Sequence, residues 1–250
     1  MAGSRPVRAP TRVDSICLLC QQEQPLLNSH VFPEFLYGRV YFGAQRAIAI
    51  SPLSDEPQRT VQQGLRERLF CSVCEAHFQR YEDHAARVLR ALPDTTRMAP
   101  GSLAIVPGVE YDRFKLFQLS LIWRAHVARQ AAFQYVNLGP HAEVLRGMLL
   151  GNDAGEPLDY PCALIRPTAG DDVRQVLKFP GSAHVMSHRV YHVVAAGLVW
   201  IFFISSHSRS IVEHASFLSR AGTLPLNVAS VTGEQMLTRI AKKLGSLGAL

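Results

Sequence analysis

The chain has 250 residues, of which 48% are hydrophobic and 18% are charged. This balance is that of a globular protein able to bury a large core, and it excludes a low-complexity or intrinsically disordered chain. The formal net charge of +6 suits a polyanionic partner such as nucleic acid, but an ordinary solvated basic surface explains it equally well.

The sequence carries no signature of a membrane or secreted protein. Its longest apolar run, residues 193–204, is shorter than the roughly 20 residues that a spanning helix needs, and it predicts a buried strand. Arg5, Arg8 and Arg12 are not followed by the apolar segment of a signal peptide. We therefore expect a soluble, cytoplasmic protein that does not associate with membranes.

The first part of the chain combines an irregular tail with one strong helix signal. Residues 1–14 are rich in Pro, Arg and small residues, which predicts a disordered basic tail. From residue 75 to 92, apolar residues recur at steps of three and four, which predicts an amphipathic helix that ends before Pro93. Shorter elements are expected between these two: a helix over 34–41 and a strand over 44–52.

A boundary is expected near residue 98, because Pro and Gly cluster over the next ten residues. Residues 99–250 then predict an α+β domain with long helices and an antiparallel sheet. Ala196-Gly197 predicts a hairpin turn. Helices are predicted over 111–135, 141–150 (ended by Gly151) and 232–245, and strands over 162–166, 174–179, 190–195 and 198–205.

Four of the five cysteines form two CxxC pairs, Cys17/Cys20 and Cys71/Cys74. Paired CxxC spacing is typical of a structural zinc site in a reducing compartment, because each turn places two sulfurs on one side of a metal. The 50 residues from 21 to 70 exceed the spacer of a simple zinc ribbon, so further structure is inserted between the pairs. The fifth cysteine, Cys162, is predicted to be a core residue.

The order of motifs in this region resembles the zinc-bearing branch of the HNH (ββα-metal, His-Me finger) endonucleases. The first CxxC pair is followed by Ser29-His30-Val31-Phe32-Pro33, and Leu69-Phe70 leads into the second pair. In that family an acid-His-x-x-Pro motif and a metal-binding helix occupy these places. The segment is also similar to uncharacterised bacterial proteins with SHxxP followed by CxxCE. The resemblance covers roughly residues 15–90 and implies a zinc-stapled ββα domain over 15–98.

The resemblance implies metal-assisted hydrolysis of nucleic-acid phosphodiesters, with DNA as the favoured substrate. His30 would be the general base, since imidazole accepts a proton near neutral pH. A Mg²⁺ or Mn²⁺ ion, separate from the structural zinc, would be held by Glu75 and Glu82 on the following helix. His77 and His84 form a second possible pair on the opposite edge of that helix, but a hard cation prefers carboxylate oxygen.

Three departures from the family pattern support a different hypothesis. Ser29 precedes the motif His where the family has an acid, the Asn expected before the second Cys pair is missing, and Glu75 replaces the final His or Asn. The alternative is a non-catalytic zinc module that binds nucleic acid or a protein partner. The sequence does not determine the oligomeric state or the role of residues 99–250.

Overall fold

The computed structural model describes residues 16–37, 47–50, 59–61, 64–95, 98–168, 177–185, 188–206 and 216–229. The tail predicted over 1–14 and the helix predicted over 232–245 lie outside these residues. Within them, no helix is long and apolar enough to cross a membrane.

The described residues form an α+β fold, as the sequence predicts. The helices are α1 (Ser72–Arg90), α2 (Tyr111–Val127) and α3 (His141–Gly151), with short 3-10 turns at Glu34–Leu36 and Ala131–Phe133. The strands are β1 (Leu26–His30), β2 (Ala47–Ile50), β3 (Arg59–Val61), β4 (Arg66–Cys71), β5 (Leu103–Val106), β6 (Cys162–Pro167), β7 (Leu177–Val185), β8 (His188–Ala195), β9 (Leu198–Ile204) and β10 (Leu224–Ala229).

A two-stranded antiparallel sheet and the helix that follows it carry the sequence motifs. β1 pairs with β4, and His30 lies opposite Arg66 in the register. β4 runs directly into α1, because Cys71 ends the strand and Ser72 begins the helix. The order strand, strand, helix is therefore present, with β2 and β3 inserted between the two strands.

The larger sheet has eight strands in the described residues, in the order β3-β2-β7-β8-β9-β6-β10-β5. Most neighbouring strands are antiparallel, as predicted, but β2 pairs with β7 and β10 pairs with β6 in parallel. β8 and β9 lie near its centre and are buried along almost their whole length. This explains the long apolar run over 193–204, since a strand covered on both faces does not alternate.

One hydrophobic core joins α1, α2 and one face of the larger sheet. The ring of Phe70 lies 5.0 Å from that of Phe78 and 5.9 Å from that of Trp123, and Phe114 stacks on Trp200 at 6.4 Å. Residues on both sides of the predicted boundary near residue 98 contribute to this core. A second cluster covers the other face of the sheet and includes Val190 and Phe217.

The second helix is shorter than its apolar pattern predicts. α2 ends at Val127, and Ala128 adopts an extended conformation instead of continuing to residue 135. The backbone N–H of Arg129 donates to the carboxylate of Glu67 on β4 at 2.9 Å. A contact with β4 therefore satisfies a backbone group that a longer helix would have used.

The predicted hairpin between β8 and β9 is present and contains a strained residue. Both turn residues have positive φ, 54° at Ala196 and 70° at Gly197, which is the requirement of a type I′ turn. Such a φ is unfavourable for Ala because its Cβ crowds the carbonyl oxygen, whereas Gly adopts it without strain.

We predict that Ala196→Gly raises the free energy of unfolding by about 0.5–1 kcal/mol. The matched control is Ala183→Gly in β7, where an added Gly should lower it by about 0.5–1 kcal/mol. Urea denaturation of both variants measures the two changes. Destabilisation of equal size at both positions would contradict the strained turn.

Candidate functional site

The four cysteines of the two CxxC pairs converge on one point. The sulfurs of Cys17, Cys20, Cys71 and Cys74 all lie within 4.8 Å of one another, and the Cys20 and Cys71 sulfurs are 4.0 Å apart. Four thiolates around one zinc ion have sulfur–sulfur separations of about 3.8 Å, which follows from a Zn–S bond of about 2.3 Å. The cluster is therefore a possible zinc site of the predicted composition.

The first Cys pair is a tight turn fastened to β4. The N–H of Gln21 donates to the carbonyl of Cys17 at 2.8 Å, and Gln21 itself adopts φ 58° to close the turn. The N–H of Leu18 donates to the carbonyl of Leu69 at 3.0 Å. These backbone bonds bring the turn against the strand that delivers the second pair.

The second Cys pair lies where β4 becomes α1. Cys71 is the N-cap of the helix, and Cys74 lies in its first turn. The N–H of Cys71 donates to the sulfur of Cys17 at 3.4 Å. The positive end of the helix dipole and this hydrogen bond both direct partial positive charge at the sulfurs, which suits the anionic ligands of a metal.

The donor set fits a divalent cation. Burial raises the pKa of the Cys74 thiol, and the neighbouring sulfurs of Cys17 and Cys71 raise it further. Thiols packed this closely do not ionise together unless a cation offsets their charge, and zinc is the metal that sulfur ligands in this number favour. Burial also raises the pKa of Cys162, which lies in β6 inside the core, where we expect it to remain a thiol.

We predict that the purified protein contains about one zinc per chain and that Cys74→Ala loses most of it, because three sulfurs leave the tetrahedral shell incomplete. Inductively coupled plasma mass spectrometry measures the zinc content per chain. Cys162→Ala is the matched control and should keep its zinc, since Cys162 is not part of the cluster. Equal zinc in the Cys74→Ala variant and the wild type would contradict the site.

His30 ends β1 in a group of charged side chains. The Arg66 guanidinium donates from Nε to His30 Nε2 at 2.9 Å, across the β1–β4 pairing. A Glu34 carboxylate oxygen lies 3.8 Å from the same ring nitrogen and 3.7 Å from Arg66. Because Nε2 accepts a hydrogen bond, the neutral ring carries its proton on Nδ1.

The surroundings of His30 favour the neutral imidazole. Burial lowers the pKa of His30 below its ordinary 6.5, and the charge of Arg66 lowers it further. Glu34 and Glu82 oppose this shift. A neutral imidazole at pH 7 is the form that a general base needs.

Glu82 approaches this group from α1, but a buried arginine binds its carboxylate. Arg124 of α2 donates to Glu82 at 2.6 Å and to the carbonyl of His30 at 3.4 Å. Its side chain is 1% exposed and lies 4.1 Å over the ring of Phe78. The second half of the chain therefore supplies a cation directly behind His30.

Glu75 lies earlier on the helix, in its first turn, directly after the zinc-cluster residue Cys74. Seven residues separate it from Glu82, which is about 10 Å along an α-helix. Within the described residues the side chain of His30 forms its hydrogen bond with Arg66 and its ion pair with Glu34, not with Glu75. The assignment of Glu75 as a ligand stays a prediction.

The alternative ligand pair on α1 makes structural contacts instead. His77 hydrogen-bonds the carbonyl of Leu149 in α3 at 2.7 Å. His84 accepts from the N–H of Glu110 at 3.1 Å and lies 3.2 Å from the Glu110 carboxylate. These contacts fasten α1 to α3 and to the segment before α2, so each ring is held by a different part of the fold.

The rings of His30 and Tyr37 pack closely against Gly64. A Cβ on Gly64 would lie 2.9 Å from the ring of Tyr37 and 3.2 Å from His30 Cδ2. The Tyr37 hydroxyl accepts from the N–H of Leu65 at 3.3 Å. The close approach requires Gly at residue 64, just before β4.

The sequence motifs did not indicate Glu34, Arg66 or Arg124 as members of this group. Glu34 directly follows Pro33 of the motif, and its spacing of four from His30 was an available signal. Arg66 could have been found only from the β1–β4 register. Arg124 comes from a helix about 90 residues away in sequence, so no local pattern reveals it.

We predict that Glu82→Gln lowers the free energy of unfolding by about 2–4 kcal/mol, because the buried Arg124 charge loses its partner. Glu75→Gln, the same change two turns earlier on α1, should alter it by less than about 0.5 kcal/mol. Guanidinium denaturation measures both. Similar stabilities of the two variants would contradict the buried ion pair.

Comparison with known proteins adds no assignment to this geometry. No model of a protein family, no curated protein and no solved structure matches the chain. What the site can do therefore follows from its own chemistry: a neutral imidazole, two nearby carboxylates and two guanidinium groups, beside a cluster of four thiols.

Proposed function

We propose that this protein is a metal-dependent HNH-like endonuclease that hydrolyses phosphodiester bonds, with DNA as its substrate. The observation that carries the proposal is the neutral His30 at the end of β1, which Glu34 and Arg66 flank on the surface side. The strand, strand, helix order and the four-sulfur cluster at its base support the same conclusion.

In this proposal His30 accepts the proton of the attacking water. The water oxygen bonds to phosphorus as the bond from phosphorus to the leaving sugar oxygen breaks, and the leaving oxygen takes a proton from a solvent water. Arg66, which is partly exposed, turns from His30 Nε2 to a phosphate oxygen of the substrate. This movement frees the ring nitrogen for the proton when substrate is bound.

The carboxylates near His30 would hold the catalytic cation. A Mg²⁺ or Mn²⁺ ion, when bound, supplies positive charge to the phosphate and the leaving oxygen. Glu34 is a suitable donor because its carboxylate is 58% exposed. Glu82 is 15% exposed and keeps one oxygen on Arg124, so its second oxygen is the available donor. Glu75 is assigned to this role by resemblance alone.

We expect the protein to nick supercoiled plasmid when Mg²⁺ or Mn²⁺ is present, and His30→Ala to lower the rate at least about 100-fold because the base is lost. The pKa of His30 is lowered, so the rate should rise with pH through a value below 6.5 and be level at pH 7. Gel electrophoresis of plasmid and of an RNA substrate follows cleavage.

The control for this experiment is zinc content and the unfolding midpoint, which should be the same in His30→Ala and the wild type. Unchanged cleavage in His30→Ala would exclude His30 as the base. Cleavage of the RNA substrate but not of the plasmid would support a nuclease and exclude DNA as its substrate.

A second candidate function is a non-catalytic zinc module that binds nucleic acid. The Glu82–Arg124 ion pair favours it, because a carboxylate bound to a buried guanidinium is a poorer cation ligand. Ser29, in the place of the family's acid, is buried and donates to the carbonyl of Leu27. In that case nucleic acid would bind with a steep salt dependence and no divalent ion would produce cleavage.

A further inference from the structure

A polar cleft lies on the far part of the fold, where the loop before α3 meets the ends of β7, β8 and β9. Its volume is about 320 Å³. Apolar, cationic and hydroxyl side chains share its walls, which are formed by Leu138, Gly139, Pro140, His141, His184, Arg189, Ile204, Ser205 and Ser206. None of these lining residues is Asp or Glu.

The strand register brings the side chains of His184 and Arg189 together. His184 of β7 lies directly opposite Arg189 of β8, and Arg189 lies opposite Ile204 of β9. Directly opposed side chains project from the same face, with Cβ atoms about 5 Å apart. This is the face of Tyr191, whose hydroxyl donates to the carbonyl of Asn137 at 2.6 Å and so fixes the loop at the cleft.

The partner of Arg189 is a backbone carbonyl, whereas several other arginines of the fold pair with a carboxylate. Arg113, Arg146 and Arg220 each pair with a glutamate. Arg189 donates to the carbonyl of Asn137 at 3.4 Å, and within the described residues no carboxylate pairs with it. Its guanidinium therefore lines the cleft without a carboxylate partner among the residues that the structure describes.

We propose that this cleft binds the phosphate group of a small organic phosphate. Arg189 supplies a planar pair of N–H donors that match phosphate oxygens, and the ring of His184 lies beside it. Ser205 and Ser206 also line the cleft, and Leu138 and Ile204 form an apolar wall for the organic part. The volume is at the lower end of the range of small-molecule sites.

Isothermal titration calorimetry with adenosine 5′-monophosphate, without divalent ions, tests this site. We expect saturable binding by the wild type and a loss of affinity of about tenfold or more in Arg189→Gln. His184→Gln should also weaken binding. Arg113→Gln removes the same charge from a surface remote in sequence and should bind as the wild type does, and unfolding midpoints show that each variant is folded.

Failure of the wild type to bind adenosine 5′-monophosphate would overturn the proposal, and so would an equal loss of affinity in Arg189→Gln and Arg113→Gln. A 12-nucleotide single strand is titrated in parallel. If the wild type binds this strand but not the nucleotide, and Arg189→Gln weakens the binding of the strand, the cleft is a nucleic-acid surface and the small-phosphate site is overturned. None of these measurements requires cleavage, so their outcome is independent of the proposed nuclease.

Discussion

The buried guanidinium of Arg124 is the contact on which the His30 site depends. It comes from α2, yet it bonds the carboxylate of Glu82 on α1 and the carbonyl of His30 on β1. A charge that is 1% exposed is costly unless it is paired, so the three elements can approach one another only in this arrangement. The candidate nuclease unit is thus completed by a residue outside the region of family resemblance.

The zinc cluster and the Arg124 contact constrain opposite ends of the unit formed by β1, β4 and α1. The cluster holds the first Cys turn to the β4–α1 junction, whereas Arg124 binds Glu82, about two turns further along α1. Between them the helix has little freedom to shift relative to β1. Zinc would then act as a scaffold, and any catalysis would depend on groups at the other end of β1.

Local patterns predicted much of the fold and only part of the site. The α1 helix, the hairpin at Ala196-Gly197 and the Cys cluster follow from short-range spacing, and all are present. The predicted end of α2, at residue 135, was wrong because Glu67, which is distant in sequence, binds the backbone beyond Val127. The last residue of α3 is Gly151, but the left-handed cap is Asn152, which tolerates that conformation nearly as well as Gly. The pairing of β2 with β7 and the position of Arg124 depend on tertiary contacts that no local signal encodes.

The insertion between β1 and β4 has a consequence for the order of folding. The sulfur ligands enclose 50 residues, and closing a flexible loop of that length costs about 3.5 kcal/mol of chain entropy beyond a constant term. That cost falls if the intervening chain is already organised, and β2 is organised by pairing with β7, more than 100 residues further on. Tight metal capture would therefore come late, after the large sheet has formed, although Cys17 and Cys20 precede every described strand of that sheet in the chain.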